Sequence, residues 1–267
     1  MQARSLVKRL LAQGDRLLAP GNGVTVLIYH RVGGGSGGEV DLDVDVVRAQ
    51  LGYLAANHRV ISLDAAVAGL ADGTLTGDAV VVTFDDGTAD FCDHAVPALV
   101  EAGVPATLYA ATHFIDTGTA FPWGAPAASW AGLRDAVSTG LVTIGSHTHT
   151  HALLDRAAPA EVGAELDRSI ASIAEQVGVA PAHFAYPKAL PGSAAAEGEV
   201  RRRFRSAALA RSRVNRPGAT DVHRLWRTPV QRSDGRRYFA AKAAGGMRLE
   251  GELRDLVARV KYRGARN

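Results

Sequence analysis

The sequence predicts an α/β fold built from parallel βαβ units. Short runs of apolar, β-branched residues alternate along the chain with segments whose apolar residues recur at helical spacing. The clearest strand, residues 79–84, is a continuous apolar run, which is typical of a strand buried on both faces of a parallel sheet. With 267 residues, 47% of them hydrophobic, the chain can form one large domain, and α/β barrels often have this size.

The predicted strands follow turns and end at polar or turn-forming residues. The first follows the turn at 20–23 and ends before His30, and Pro187 stops a later one. The glycine-rich run 33–38, directly after the first strand, predicts a mobile loop that forms a flap over the functional site. The strands are predicted at residues 24–29, 59–63, 79–84, 105–111, 142–145, 183–186, 207–210 and 223–230.

The predicted helices have apolar residues at a period near 3.6. Gly103 and Gly178 end two of them, because glycine accepts the left-handed conformation found at helix C-termini. The helices are predicted at residues 45–57, 95–102, 160–177, 199–204 and 240–263.

The N-terminal segment predicts a separate element. Residues 1–20 have leucines at helical spacing together with Arg4, Lys8, Arg9 and Arg16, so we expect a basic amphipathic helix there. We expect residues 21–267 to form a single catalytic domain. The start of the chain lacks the pattern of a secretory signal, and no apolar run is long enough to span a membrane, so the expected location is the cytoplasm.

Charge is divided unevenly along the chain. The net charge is +3, but residues 1–200 hold 22 acidic and 11 basic side chains, whereas residues 201–267 hold 5 acidic and 19 basic ones. Two interpretations stay open. The basic region either packs across the acidic part of the same chain or, with the N-terminal helix, contacts an anionic surface such as the inner face of a membrane. We expect no nucleic-acid partner, and the oligomeric state is not predicted.

Reactive side chains follow several of the predicted strands. In parallel α/β folds the carboxyl ends of the strands meet at one edge, where functional groups gather. Those ends carry His30, Asp85, Asp86, His147, His149, His151 and Lys188. Two histidines and a carboxylate form a common divalent-metal site for hydrolysis. Either Asp85 or Asp86 can ligate a metal while the other faces a bound water as general base.

The histidine cluster does not by itself show which of its members would bind a metal. His147 and His151 lie four residues apart, which places them on one side of a helical turn. On a strand the same spacing places them on one face together with His149. Cys92 is the only cysteine, so neither a disulfide framework nor a cysteine-rich zinc site is expected.

These residues carry a resemblance to a known family. Residues 83–87 (TFDDG) resemble the first motif of the polysaccharide deacetylases, the NodB homology domain of carbohydrate esterase family 4. Residues 144–151 (IGSHTHTH) resemble its second motif, and residues 184–187 (FAYP) resemble the third in the form of the poly-N-acetylglucosamine deacetylases. Residues 27–32 (LIYHRV) and 224–230 (RLWRTPV) resemble the opening and late strands of that branch.

The resemblance implies an irregular (β/α) barrel with fewer than eight strands. It also implies metal-dependent hydrolysis of acetyl groups, chiefly N-acetyl groups, on an acetylated sugar, oligosaccharide or polysaccharide. Asp85 would be the general base, and Asp86, His147 and His151 would bind Zn²⁺ or another divalent metal such as Co²⁺, Mn²⁺ or Ni²⁺. The backbone N–H of Lys188 would help to hold the oxyanion.

Three departures from the family pattern affect these expectations. Ala185 stands near the place of an arginine that orients the base, and Ala189 replaces a glycine. Lys188 stands where an aromatic residue is usual. The late Leu-x-His motif that supplies the general acid is not visible, so the acid is open between His223 and His30.

Two other function classes would each explain part of the same sequence. A deacetylase-like domain that binds sugar without turnover would explain the missing arginine and the missing late histidine. A different His/Asp metallohydrolase, of the histidine-triad or amidohydrolase type, would explain the histidine cluster alone. Zinc content measured together with acetate release separates all three.

Overall fold

The computed structural model describes residues 22–253 of the chain. The predicted helix of residues 1–20 and the end of the predicted helix 240–263 lie outside these residues. The strands are β1 (Val24–Tyr29), β2 (Arg31–Val32), β3 (Asp41–Leu42), β4 (Ala79–Asp86), β5 (Ala106–Ala110), β6 (Val142–Ser146), β7 (His183–Ala185), β8 (Ser206–Ala208) and β9 (Arg227–Pro229). The α-helices are α1 (Val44–Asn57), α2 (Leu63–Ala71), α3 (Val96–Ala102), α4 (Thr112–Thr117), α5 (Trp130–Ser138), α6 (Pro159–Val177), α7 (Ala194–Arg203) and α8 (Gly235–Ala243).

Seven strands form one parallel sheet that nearly closes on itself. Their order is β8-β7-β6-β5-β4-β1-β9, and every pairing in it is parallel. The two edges approach each other where Ala208 of β8 forms a parallel bridge with Leu225, just before β9. The expectation of an irregular (β/α) barrel with fewer than eight strands is therefore confirmed.

The strand β4 shows how the sheet divides its side chains. Val80, Val82 and Phe84 join the large core beneath the surrounding helices. The alternate residue Val81 belongs to a second apolar cluster together with Val26 of β1, and in an extended strand Asp85 shares the face of Val81. Asp85 therefore projects from the inner face of the barrel, at the carboxyl end of a strand that is buried throughout.

Several predicted boundaries differ from the structure. The predicted strand 59–63 is reduced to a bridge between Val60 and Val80, because Ser62 accepts a hydrogen bond from the backbone N–H of Ala65 and starts α2. The predicted strand 223–230 begins instead as a short 3₁₀ turn, and β9 covers only its last part. The predicted helix 240–263 is interrupted, since α8 ends at Ala243 and a turn with Gly245 follows.

Arginines of the basic region pair with acidic side chains. Arg203 binds Asp167 and Arg224 binds Glu197, each at 2.6 Å, so both pairs join the basic region to the first 200 residues. Other pairs are Arg205–Asp64, Arg201–Asp221, Arg211–Glu252 and Arg213–Glu252. The contacts favour internal pairing for this part of the charge. Across residues 22–253 no helix has the length and apolar character needed to cross a bilayer.

Candidate active site

Two carboxylates and two histidines meet where β4 and β6 end. Asp86 closes β4, and His147 directly follows β6. Nε2 of His147 lies 3.7 Å from Oδ1 of Asp86, and Nε2 of His151 lies 3.5 Å from the same oxygen. Among the described residues these three side chains form the one group of at least three potential ligands whose donor atoms lie within 4.8 Å of one another.

Backbone strain is concentrated around this group. Asp86, Thr148, His151 and Lys188 all have positive φ angles, of 79°, 63°, 62° and 52°. L-residues adopt such angles at a cost, and they do so mainly where the surrounding structure requires it. At Asp86 the left-handed turn ends the strand alternation, so its carboxylate and that of Asp85 need not point to opposite faces of the sheet.

The hydrogen bonds of the histidines distinguish His147 from His149. Nδ1 of His147 lies 2.7 Å from the carbonyl oxygen of Ala185 and donates to it, which leaves the lone pair of Nε2 directed toward Asp86. The left-handed Thr148 breaks the alternation of the segment, so His149 turns away. Its Nδ1 lies 2.9 Å from Oγ1 of Thr112 instead. The structure thus brings His147 and His151 together and leaves His149 outside.

Asp85 is held by an arginine that the sequence analysis did not identify as a site residue. Arg227 of β9 donates from Nη1 and Nη2 to both carboxylate oxygens of Asp85, at 2.6 Å and 2.8 Å. Its guanidinium is fully buried, lies 5.0 Å from the ring centroid of Tyr109, and donates from Nε to the carbonyl of Leu209. The available signal was an arginine within the apolar late-strand motif of residues 224–230, but nothing in the sequence connects that strand to β4.

The two aspartates have opposite pKa shifts. Burial, together with the smaller effect of the neighbouring Asp85 carboxylate, raises the pKa of Asp86 to about 8. Burial would also raise the pKa of Asp85, but the charge and the hydrogen bonds of Arg227 outweigh it and hold that pKa at about 2. Asp85 is therefore ionised at neutral pH. Asp86 is ionised at neutral pH only when a cation lies nearby.

His30 and Lys188 both lie near this centre. Burial lowers the pKa of His30 to about 4, while Asp85 acts in the opposite direction. Nδ1 of His30 is buried and has no hydrogen-bond partner among the described residues. The charge of Lys188 contributes to the lowered pKa of His151, after burial and His147, so its side chain is close to that histidine.

His223 lies elsewhere, so its predicted role as general acid is not supported by the structure. It belongs to the 3₁₀ turn before β9, and its Nε2 lies 2.9 Å from the carbonyl oxygen of Phe204, which precedes β8. Both positions are at the amino ends of parallel strands, the edge opposite to Asp85. The chain forms a turn at Asp221 before β9, and His223 lies in this turn.

Comparison with known proteins agrees with this geometry. Residues 72–200 match the family model described as polysaccharide deacetylase, a span that contains Asp85, Asp86, His147 and His151. The chain thus carries a polysaccharide deacetylase domain. It is therefore a hydrolase that removes acetyl groups. A search of curated proteins finds no significant match to this deacetylase.

Solved structures share the fold over most of the chain. IcaB from Ammonifex degensii is 25% identical, with a TM-score of 0.75 over 84% of this deacetylase and 98% of IcaB. The deacetylase PplD from Streptococcus pyogenes, in complex with acetate, is 19% identical, with a TM-score of 0.74 over 84% of this chain and 99% of that one. A de-N-acetylase from Aggregatibacter actinomycetemcomitans is 20% identical, with a TM-score of 0.67 over 82% and 99%. The last two, below 25% identity, show the common fold.

Proposed function

We propose that this deacetylase hydrolyses N-acetyl groups of an acetylated saccharide, with Asp85 as the general base beside a metal held by Asp86, His147 and His151. The observation that carries the proposal is the contrast between the two adjacent aspartates. Asp85 is ionised and fixed by Arg227, whereas Asp86 faces two uncharged histidines. A base and a ligand set are thus built from neighbouring residues.

The three ligand side chains fit a divalent metal ion. Two ligands of a tetrahedral zinc ion, each about 2.0 Å from it, lie about 3.3 Å apart. The distances of 3.7 Å and 3.5 Å from the histidine nitrogens to Asp86 are close to this value. Both histidines have lowered pKa values and so offer free lone pairs. When bound, a divalent cation supplies Lewis acidity toward the acetyl carbonyl and toward water. Zn²⁺ is the metal that we propose, since the Asp/His₂ set suits it.

Asp85 takes the proton of the attacking water. The carboxylate is buried and ionised, and its two hydrogen bonds to Arg227 fix its orientation. Arg227 thereby does the work that the resemblance assigns to an arginine near Ala185. One of the two reasons to regard the chain as an inactive sugar-binding domain, the missing arginine, is thereby answered, because Arg227 of a different strand orients the base.

Two further groups complete the proposed chemistry. The backbone N–H of Lys188, in its left-handed turn after β7, is proposed to donate to the oxyanion. His30 is proposed to pass a proton to the leaving nitrogen. Since burial keeps His30 uncharged in the free protein, that proton comes from the attacking water by way of Asp85, whose charge favours a protonated His30. One proton is taken from water and one is given to the amine, so the proton transfers of the proposed reaction balance.

The substrate class follows from the family, and the finer assignments are proposals. The structural neighbour from Aggregatibacter actinomycetemcomitans is a de-N-acetylase, which supports amide hydrolysis in this proposal. Contact of the basic residues with an anionic membrane, and a cytoplasmic location, stay predictions.

Acetate release tests the proposal directly. The metal-stripped protein is expected to release no acetate from N-acetylated chitooligosaccharides, and added zinc is expected to restore release. Asp85→Asn is expected to retain zinc and lose activity by at least about a hundredfold, the usual contribution of a general base. His151→Ala is expected to lose zinc, and His149→Ala serves as its matched control. Zinc loss in His149→Ala but not in His151→Ala would contradict the ligand set.

A further inference from the structure

Three aromatic rings form a stack that ends beside the candidate metal ligands. Phe114 and Phe121 stack with their centroids 4.3 Å apart, and Phe121 and Trp123 stack at 4.9 Å. The indole of Trp123 lies 5.8 Å from the ring of His151, at an interplanar angle of 67°. The inner two rings are buried, whereas Trp123 is 47% exposed. The stack therefore presents one aromatic side chain to solvent, next to the catalytic centre.

The backbone holds Trp123 in a tight turn. Pro122 and Trp123 are the central residues of a turn closed by a 2.7 Å hydrogen bond from the N–H of Gly124 to the carbonyl of Phe121. Pro122 suits this position because its φ angle is already restricted. Gly124 has a φ of 82°, which glycine adopts without strain. A second hydrogen bond, from the N–H of Phe121 to the carbonyl of Ala125 at 2.8 Å, fixes the start of the turn.

The same loop is attached to the catalytic strand. The N–H of Ala128 donates to the carbonyl of Gly87, and the N–H of Ala89 donates to the carbonyl of Pro126, each at 2.9 Å. These partners directly follow Asp85 and Asp86 in sequence. The loop of Trp123 is thus hydrogen-bonded to the segment that follows β4, and these backbone bonds set the position of Trp123 relative to the metal ligands.

The half-exposed indole of Trp123 lies beside a candidate metal ligand, His151. Phe121 stacks on one face of the indole, and Trp123 as a whole is still 47% exposed. A flat apolar face beside a hydrolytic centre is complementary to the C–H face of a pyranose ring, which buries apolar surface while its hydroxyl groups stay in water. We propose, resting on the function proposed above, that Trp123 is a stacking platform for a sugar ring of the acetylated substrate.

Binding can be measured without turnover. The zinc-loaded Asp85→Asn protein provides the background, and N-acetylated chitotetraose is the probe, titrated by calorimetry. In that background Trp123→Ala is expected to weaken binding about tenfold, the order of effect expected for one aromatic contact. Trp123→Phe keeps a flat ring and is expected to lose less than about threefold, whereas Trp123→Leu is apolar but not flat and is expected to resemble Trp123→Ala. Val100→Ala, at an exposed valine of α3, is the matched control.

Tryptophan fluorescence supplies a second measurement. The chain has three tryptophans, and Trp130 and Trp226 are engaged elsewhere, with Asp116 and Arg211. Chitotetraose is expected to change the emission of the Asp85→Asn protein, and Trp123→Phe in that background is expected to remove the change. Melting temperature and zinc content of each variant show whether it folds and keeps the site.

The outcomes separate the platform from the proposed function. If Trp123→Ala and Trp123→Leu bind chitotetraose as tightly as the background protein, the platform is wrong, whatever the activity. If the Trp123 variants lose binding as expected but the unmutated zinc protein releases no acetate from chitotetraose, the platform stands and the proposed reaction is wrong. With active protein, kcat/KM on the tetramer is expected to fall more in Trp123→Ala than kcat/KM on a small aryl acetate, and equal losses would also contradict stacking.

Discussion

Asp85 and Asp86 carry the same side chain on adjacent residues, and their surroundings give them different charges. Arg227 pairs with Asp85 through two hydrogen bonds and lowers its pKa to about 2 against the effect of burial. No arginine or lysine within residues 22–253 forms an ion pair with Asp86, and its pKa rises to about 8. The neutral histidines opposite Asp86 cannot supply a positive charge, which explains why this carboxylate suits a cation and Asp85 suits a proton.

The proposed proton path makes a prediction about His30. An amine is a poor leaving group and needs a proton, whereas p-nitrophenolate leaves without one. His30→Gln is therefore expected to lower kcat/KM about a hundredfold for an N-acetylated chitooligosaccharide, but less than about tenfold for p-nitrophenyl acetate. Steady-state kinetics on both substrates checks this. If both rates fall equally, His30 has a binding or structural role and not that of proton donor.

A second histidine makes a prediction about stability. His183 of β7 is fully buried, its Nδ1 lies 2.8 Å from Oγ of Ser206, and burial lowers its pKa from 6.5 to about 4. Its Nε2 lies 3.2 Å from Oδ1 of Asp64. Between pH 6.5 and 4 the unfolded chain binds a proton that folded His183 does not, so the free energy of unfolding falls as the pH falls. The total loss from this residue is about 3 kcal/mol.

His183→Asn tests this linkage, because asparagine can keep a hydrogen bond to Ser206 and does not titrate in that range. Urea unfolding at several pH values is expected to give a pH dependence that is flatter by about 1.2 kcal/mol per unit between pH 6 and 4.5. A slope equal to that of the unmutated protein would show that His183 is protonated in the folded state over this range.

At the scale of elements, the glycine-rich loop has more anchors than its composition predicts. The carboxylate of Asp41 accepts hydrogen bonds from the N–H groups of Gly34, at 3.0 Å, and Ser36, at 2.7 Å. Arg31, directly after His30, pairs with Asp90 at 2.8 Å and approaches Asp41 at 3.9 Å. The loop is thereby tied to the carboxyl ends of β1 and β4. Its action as a flap stays a prediction.

Two glycines of this loop allow a matched test. Gly35 and Gly37 have φ angles of 69° and 70°, and a Cβ at either position meets no atom within 4 Å, so alanine adds backbone strain without a clash. Such strain costs about 1 kcal/mol per residue. Gly35→Ala with Gly37→Ala is expected to disfavour the anchored loop and raise KM for chitooligosaccharides several-fold, with only a small decrease in melting temperature.

Gly73→Ala is the control, because Gly73 has the same φ of 69° and equally open surroundings in the segment after α2. It is expected to leave KM as it is. An unchanged KM in the double variant as well would make the loop a spacer.

At the scale of the molecule, closing the barrel assembles the site. Asp85 comes from β4 and Arg227 from β9, 142 positions apart in sequence, and β1 lies between these strands in the sheet. The metal ligands come from β4 and from the segment after β6, with β5 between them. A bound metal therefore links parts of the barrel that are not adjacent, and its binding energy adds to the stability of the whole fold.

Metal removal is expected to lower the melting temperature. At a free zinc concentration of about one hundred times Kd, binding stabilises the native state by about 2.7 kcal/mol, which corresponds to roughly 5–10 °C for a domain of this size. Calorimetry of the stripped and the zinc-loaded protein measures the shift. Asp86→Ala and His147→Ala are expected to abolish it and His149→Ala to keep it. A full shift in Asp86→Ala would show that zinc binds elsewhere.

Local sequence was sufficient for the features that depend on neighbouring residues. The apolar strand before Asp85, the glycine ends of α3 and α6, and the clustering of reactive groups at strand ends all follow from residue spacing and backbone preference. The family resemblance added the barrel and the division of roles between Asp85 and Asp86. Contacts between distant segments could not be predicted, because a sequence does not state which strand lies beside which. The pairing of Arg227 with Asp85 and the rotation of His149 away from His151 arise from the order of the strands and from left-handed turns, and these are set by packing of the whole barrel.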